Sequence, residues 1–410
     1  MYHHSFNACN NMGSRFVGSG YRIFSVFFGV LLSFAGLRGS TVSFTFYGAV
    51  IELSYDPDRL PHSRLLPEES SLIRGWRWTE RQLCEQLLYD LHWYKDQLQL
   101  NDWFYYKLIE QAVGQLLPPS RALQRRILTA ALLYHSGYDI RLVLNHRELF
   151  VYVYAAIPLY EVSQIEDAGR SFFNLEAIGR PTPGGRSLVI MLSEPCRQGR
   201  SFDFSLDAWP ALPERPVSRR FSFVYQGADY PLSLTYDASR VDLLNTYPVL
   251  DEINFIRASL SESLSSSLLP QLKTYMQEMT QREQLSFLAA LCRTGFAYGE
   301  IPLPDGRQGQ KSMVADELFY YQESDCEDRT ALYFNLLKEL LDLPLLVIAW
   351  EDHVSLAVGL QDADGDYFTH QGQRYFYCDP TGPVDSPDVC IIPFGYEGLS
   401  FTIVGEYQPQ

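Results

Sequence analysis

Twice along this chain a strongly apolar helical pattern leads into short strands rich in Tyr, Phe, Val and Leu. The two occurrences stand almost the same distance apart. YDIRLV at Tyr138 lines up with LPLLVI at Leu343, 205 residues on, and RSFFNL at Arg170 lines up with RYFYCD at Arg374, 204 residues on. The helical patterns before both match in length and apolar spacing. Two separate segments sharing nearly one offset fit an old duplication. Chance likeness between two ordinary helix–strand–strand units accounts for the pattern as readily. If the halves are copies, Arg121 stands in the first where Cys326 stands in the second. Glu148 or Leu149 then stands opposite His353, and Leu175 opposite Asp379. Burial would have kept the core pattern, while the polar residues were held only by chemistry.

The fold class expected from these patterns is α/β (α+β). Thr41 to Leu53 reads as one or two strands, and helical pattern runs from about Thr79 to His135 with a break at Pro118-Pro119. Strands follow at Ile140 to Leu144, Glu148 to Ala155 and Arg170 to Glu176, and RPTPGG breaks the pattern at Arg180 to Gly185. From Ser187 to Tyr247 short alternating runs predict a small β module, sandwich-like. Helices return between Leu250 and Cys292. Within them, Ser-rich SLSESLSSSLL (Ser259 to Leu269) reads either as a linker or as a helix, since Leu260, Leu264 and Leu268 keep a four-residue period. The expected organisation is a leader over 1–40, an N-terminal α/β lobe over 41–180, the β module over 181–248 and a C-terminal domain over 249–410.

Composition excludes some functions. Hydrophobic residues make up 46% of the 410 and charged residues 20%, enough for a sizeable core. The formal charge is −16 and no basic stripe is evident, so nucleic acid is not an expected partner. Arg15 and Arg22 precede an apolar run from Ile23 to Gly36, followed by small Gly39 and Ser40. This is the pattern of a signal peptide cleaved between Gly36 and Phe44. The run is short of the roughly 20 residues a membrane span needs, though an uncleaved anchor remains the alternative. The mature chain is expected to be exported, periplasmic or secreted, with no membrane span. The seven cysteines show no Cys-x-x-Cys spacing, and no His falls at ligand spacing beside them, so neither metal nor cofactor is expected. Cys378 and Cys390 are able to pair in an oxidising compartment, which spacing alone does not establish.

The most informative stretch is QESDCEDRTALYFNLLKELL, Gln322 to Leu341. Ser324 and Asp325 are good N-caps, and the apolar residues that follow predict a buried helix with Cys326 in its first turn. Unpaired N–H groups and the positive end of the helix dipole favour a thiolate there and can receive an oxyanion. Glu327 and Asp328 work against that, so a cationic partner is required. WEDHVSLAVGL (Trp350 to Leu360) predicts a strand entered at His353, a base able to pair with the sulfur. YFYCDPTG (Tyr375 to Gly382) predicts a strand stopping at Pro380, with Asp379 placed to hold the imidazole and fix its tautomer. Each residue alone has an ordinary structural reading: a core thiol, a strand-edge imidazole, a turn-forming Asp.

The order of Cys at a helix start, His at a strand start and Asp on the next strand resembles the transglutaminase-like superfamily. S-D-C-E-D-R is similar to the G-D-C-x-D signature of its bacterial transglutaminase-like cysteine protease branch, with Ser324 where Gly is commoner. H-V-S-L-A-V and Y-C-D-P-T resemble its His and Asp motifs. Arg282 to Glu300 resembles the helix and tyrosine loop that precede the cysteine helix. Leu100 to Val113 and His135 to Val143 resemble the N-terminal part of exported proteins of the Bacteroidetes type. The resemblance implies a papain-like C-terminal domain and acyl transfer through a thioester on Cys326, with His353 as base and Asp379 orienting it. Peptide or protein amides would be the substrates, and water or an amine the acceptor. Gln322, Tyr321 and Trp350 are candidates for a further oxyanion donor. An exported binding or assembly protein that keeps the fold without catalysis is the competing reading.

Overall fold

The computed structural model describes residues 39–176, 199–303, 310–361, 363–383 and 388–409, together with the backbone of 187–190. The apolar run from Ile23 to Gly36 lies outside the described residues. The protein mixes α and β, and its described part runs twice through hairpin, helices and sheet. The first half opens with hairpin β1 (Ser40–Phe46) and β2 (Ala49–Tyr55). Four helices follow: α1 (Glu69–Gln82), α2 (Glu85–Gln97), α3 (Asp102–Leu116) and α4 (Ala122–His135). Strands β3 (Ile140–Asn145), β4 (Glu148–Tyr154), β5 (Gln164–Asp167), β6 (Arg170–Asn174) and β7 (Ser187–Ile190) complete it.

The second half opens with hairpin β8 (Pro216–Tyr225) and β9 (Ala228–Asp237). Its helices are α5 (Ala238–Leu244), α6 (Ile253–Ile256), α7 (Glu262–Tyr275) and α8 (Gln281–Gly295). Short β10 (Ala297–Tyr298), α9 (Ala315–Tyr321) and β11 (Glu323–Ser324) lead into α10 (Cys326–Leu341). The closing strands are β12 (Leu345–Ala349), β13 (Val354–Gly359), β14 (Tyr367–His370), β15 (Gln373–Cys378) and β16 (Thr402–Tyr407). Among the described residues no helix is long and apolar enough to cross a membrane.

The two five-stranded sheets share one topology. Their orders are β5-β6-β4-β3-β7 and β14-β15-β13-β12-β16, antiparallel throughout. The likeness extends upstream. α2 packs on β2 and α3 on β1, as α7 packs on β9 and α8 on β8. Both opening hairpins turn through a non-glycine residue and a glycine at positive φ, Tyr47-Gly48 and Gln226-Gly227, the two-residue turn whose twist suits paired strands.

Register then fixes which residues correspond. Ile140 pairs with Val153 and Val153 with Phe173; in the second sheet Leu345 pairs with Val358 and Val358 with Phe376. The offset is therefore 205 through the first hairpin of each sheet and 203 on β6 and β15. The connection 155–163 is two residues longer than 360–366, which accounts for the change. The helices are aligned by two arginines. Arg125 donates through Nε to the carbonyl of Leu117, the C-cap of α3, at 2.8 Å, and Arg329 donates through Nη2 to that of Phe296, the C-cap of α8, at 3.0 Å. Their spacing is 204 residues. Cys326 thus corresponds to Ala122, His353 to Glu148 and Asp379 to Glu176. This differs from the sequence alignment, which put Arg121 and Leu175 at the first and last positions. Leu175 faces the first core as Cys378 faces the second.

The middle of the chain also differs from expectation. Residues 181–248 were expected to form a sandwich-like module. Instead β7 is an edge of the first sheet, and β8–β9 is a two-stranded hairpin whose Phe223, Tyr225, Leu232, Leu234 and Tyr236 enter the second core. Two strands alone bury too little to stand independently, so the hairpin takes its cover from α7 and α8. The Ser-rich stretch is the helix of the two readings: Ser261 caps α7 through Leu264 N–H, and Leu264, Leu268 and Leu272 are buried.

Each sheet has one face on a helical core and another on a smaller cluster, by simple alternation. On β12, Leu345 and Val347 face the helices while Leu346 and Ile348 face away. On β15, Phe376 and Cys378 face the helices while Tyr375 and Tyr377 join Trp350 on the far side.

Candidate active site

The site is built where α10 meets the start of β13 and the end of β15. Asp325 caps α10, accepting from Glu327 N–H at 3.1 Å and Asp328 N–H at 3.3 Å, and Asp328 accepts from Asp325 N–H at 3.3 Å in return. Asp328 also accepts from Met313 N–H at 2.8 Å. This reciprocal cap places Cys326 as the first residue of the helix, half-buried. One turn on, the Thr330 hydroxyl donates to the carbonyl of Val354 at 3.2 Å, tying the helix to the residue after His353. His353 ends a tight hairpin loop closed by Trp350 N–H donating to its carbonyl at 2.8 Å. The Leu356–Cys378 pairing then sets Asp379 beside Ser355, whose hydroxyl donates to Asp379 Oδ1 at 3.2 Å.

Cys326, His353 and Asp379 come together. His353 Nε2 lies 3.3 Å from Asp379 Oδ1, close enough for an ion pair though off the line of a full hydrogen bond. The Cys326 side chain is a neighbour of the same imidazole and acts on its protonation. Asp379 is fixed by Thr381 N–H on Oδ1 and Gly382 N–H on Oδ2, each at 3.0 Å, while Arg293 donates to its carbonyl at 2.5 Å. Burial pulls the His353 pKa down, but the Asp379 and Cys326 side chains more than reverse this and raise it to about 9. For Asp379, burial acts upward and is outweighed by His353 and the Thr381 N–H, leaving its pKa below the usual value.

The three oxyanion candidates separate. Trp350 stacks near the imidazole, ring centres 5.9 Å apart and planes at 22°, and its buried Nε1 has no hydrogen-bond partner among the described residues. Tyr321 turns to Asn245 Oδ1 at 3.4 Å and to Lys311, which lies 5.3 Å from its ring centre. Gln322 is the left-handed C-cap of α9, its side chain exposed and its carbonyl accepting from Ala297 N–H at 3.1 Å.

Several residues around the site were not singled out from the sequence. Tyr396 lies 5.0 Å from the His353 ring and donates its hydroxyl to Asp352 at 3.0 Å. Nothing in a Gly-Tyr-Glu-Gly turn announces that role. Tyr298 pairs with Ser324 in the short parallel β10–β11 ladder, which brings it to the helix start. Burial first, then the charges of Cys326 and Asp325, raise its pKa. Burial and the charges of Asp325, Glu252 and Glu300 lift Glu327 to about 7. Asp325 and Asp328 are raised too, first by burial. Beside Asp379 a cavity of about 190 Å³ is lined by Arg293, Pro383, Val389, Ile391 and Phe394 among others.

In the first half, Ala122, Glu148 and Glu176 line one cavity of about 150 Å³ with Arg126 and Arg147. Arg126 pairs with Glu176 at 2.9 Å. The topology is therefore repeated without a thiol or imidazole at these positions. Cys292, another thiol of the second half, is fully buried on α8, and burial pushes it up to about 12. No family model, curated protein or solved structure matches this chain.

Proposed function

We propose that the protein is a transglutaminase-like cysteine hydrolase, a peptidase or amidase, with a papain-like second half. The observation that carries the reading is the meeting of Cys326, at the start of a buried helix, with a His353 whose other neighbour is Asp379. In this reading the Cys326 sulfur attacks an amide carbonyl and forms a thioester. His353, held as imidazolium by Asp379, gives its proton to the leaving amine and then takes one from the incoming water. The oxyanion faces the first turn of α10, where Asp325 already occupies the Glu327 and Asp328 N–H groups and leaves that of Cys326 as the natural donor. An amine in place of water would give crosslinking. The apolar run from Ile23 to Gly36 supports export of the mature chain.

The test is a screen of the mature chain against peptide and Gln/Lys acceptor pools, beside Cys326→Ala. Wild type is expected to release or transfer amine, with Cys326→Ala at least 1,000-fold slower, on the order of the loss seen when a triad member is removed. A substrate turned over equally by both proteins would sink the proposal. Selective labelling of Cys326 by a thiol-reactive amide, with no turnover of any pool, would favour the non-catalytic binding reading.

A further inference from the structure

Two buried thiols outside the triad lie at the root of the segment that carries Asp379. Cys378 is the last residue of β15, immediately before Asp379, and Cys390 follows the loop that leaves the site. Both are fully buried in the second core. Backbone bonds through Asp366 link Cys390 to the residue before Cys378: Asp366 N–H donates to the Cys390 carbonyl at 2.8 Å, and Tyr377 N–H donates to the Asp366 carbonyl at 3.3 Å. Both thiols are free, and each is near enough to the other to perturb its ionisation. Cys390 has φ +65°, a left-handed conformation that a non-glycine residue keeps only when its surroundings impose it. Gly365 packs so closely there that a Cβ would meet the Cys390 carbonyl oxygen at 2.2 Å. No step at the candidate active site uses either sulfur.

We infer that Cys378 and Cys390 close to a disulfide when the chain folds under oxidising conditions, and that the link anchors the segment bearing Asp379. With oxidised glutathione as the oxidant, one cysteine displaces glutathione from its disulfide and becomes a mixed disulfide. The second cysteine then displaces the other glutathione. Two protein S–H bonds and one glutathione S–S bond become one protein S–S bond and two reduced glutathiones. The closed loop is short, so its cost in the unfolded chain is modest and the main consequence is local. The link does not depend on the hydrolase reading.

The experiment folds the full chain from denaturant with oxidised glutathione, then denatures it without reductant, alkylates and maps the peptides. A cross-linked peptide containing Cys378 and Cys390 is expected, with two fewer alkylatable thiols than in a reduced sample. Cys390→Ser should restore alkylation at Cys378. If that variant fails to fold, the wild-type map decides alone. Alkylation of both Cys378 and Cys390 in the wild type, or a link from either to Cys292 in the same core, overturns the inference.

Discussion

His353 is the residue whose surroundings make the sharpest demand. Burial disfavours its charged form, yet Asp379 and the Cys326 side chain raise it to about 9, so the imidazolium is the resident form near neutrality. Because the folded pKa lies above the ordinary value of about 6.5, the stabilisation is fully present below pH 6.5 and is lost as pH rises through about 9. At about 1.4 kcal/mol per pKa unit this is on the order of 3 kcal/mol. A ring-proton NMR titration of the wild type is expected to give a midpoint near 9 for His353. In Asp379→Asn the largest upward influence is gone and burial remains, so the midpoint should fall by at least one unit. A midpoint unchanged by Asp379→Asn would mean that the two side chains do not share a charge in solution.

At the scale of elements, the first turn of α10 concentrates acid where a helix tolerates it. The dipole welcomes Asp325, Glu327 and Asp328, but burial and their mutual repulsion do not. Glu327 at about 7 is the measurable consequence. A carboxyl whose folded pKa is raised binds its proton more tightly in the folded state. Stability therefore falls as pH rises from about 4.5 to about 7, and the deficit persists above. Glu327→Gln should raise the melting temperature at pH 8 by on the order of 2 °C relative to pH 5, read by thermal scans of both proteins. An equal effect at both pH values would count against the raised pKa. This helix was legible in the sequence because cap, nucleophile candidate and apolar face lie within one window. So were the strands carrying His353 and Asp379, whose apolar alternation stops at each residue. The β8–β9 hairpin misled because alternation reports a half-buried strand without saying which core covers it. Glu176 was missed for Leu175 because a two-residue difference in a loop, invisible to a single offset, shifts every later position. Tyr396 reaches His353 only through tertiary folding.

At the scale of the whole molecule, two similar halves would be expected to behave as two domains, yet residues 39–410 form one compact unit. The reason lies in the stretch between the second hairpin and α7. Leu243, Leu244, Tyr247, Leu250 and Phe255 belong to the core of the first half although the chain has already passed into the second. In α6 the neighbouring residues divide, Phe255 entering the first core and Ile256 the second. Asn335 on α10 fastens this turn by donating to the carbonyls of Ile256 at 3.1 Å and Ala258 at 3.0 Å. Neither core can lose its packing without exposing one face of this short helix, so the halves should unfold together. Calorimetry of residues 39–410 is expected to show one transition, with calorimetric and van't Hoff enthalpies in agreement. Phe255→Ala and Ile256→Ala, each costing about 2–5 kcal/mol, should both shift that single transition downward. Two resolved transitions, with Phe255→Ala moving one and Ile256→Ala the other, would show that the repeated halves are independent and that α6 merely touches both.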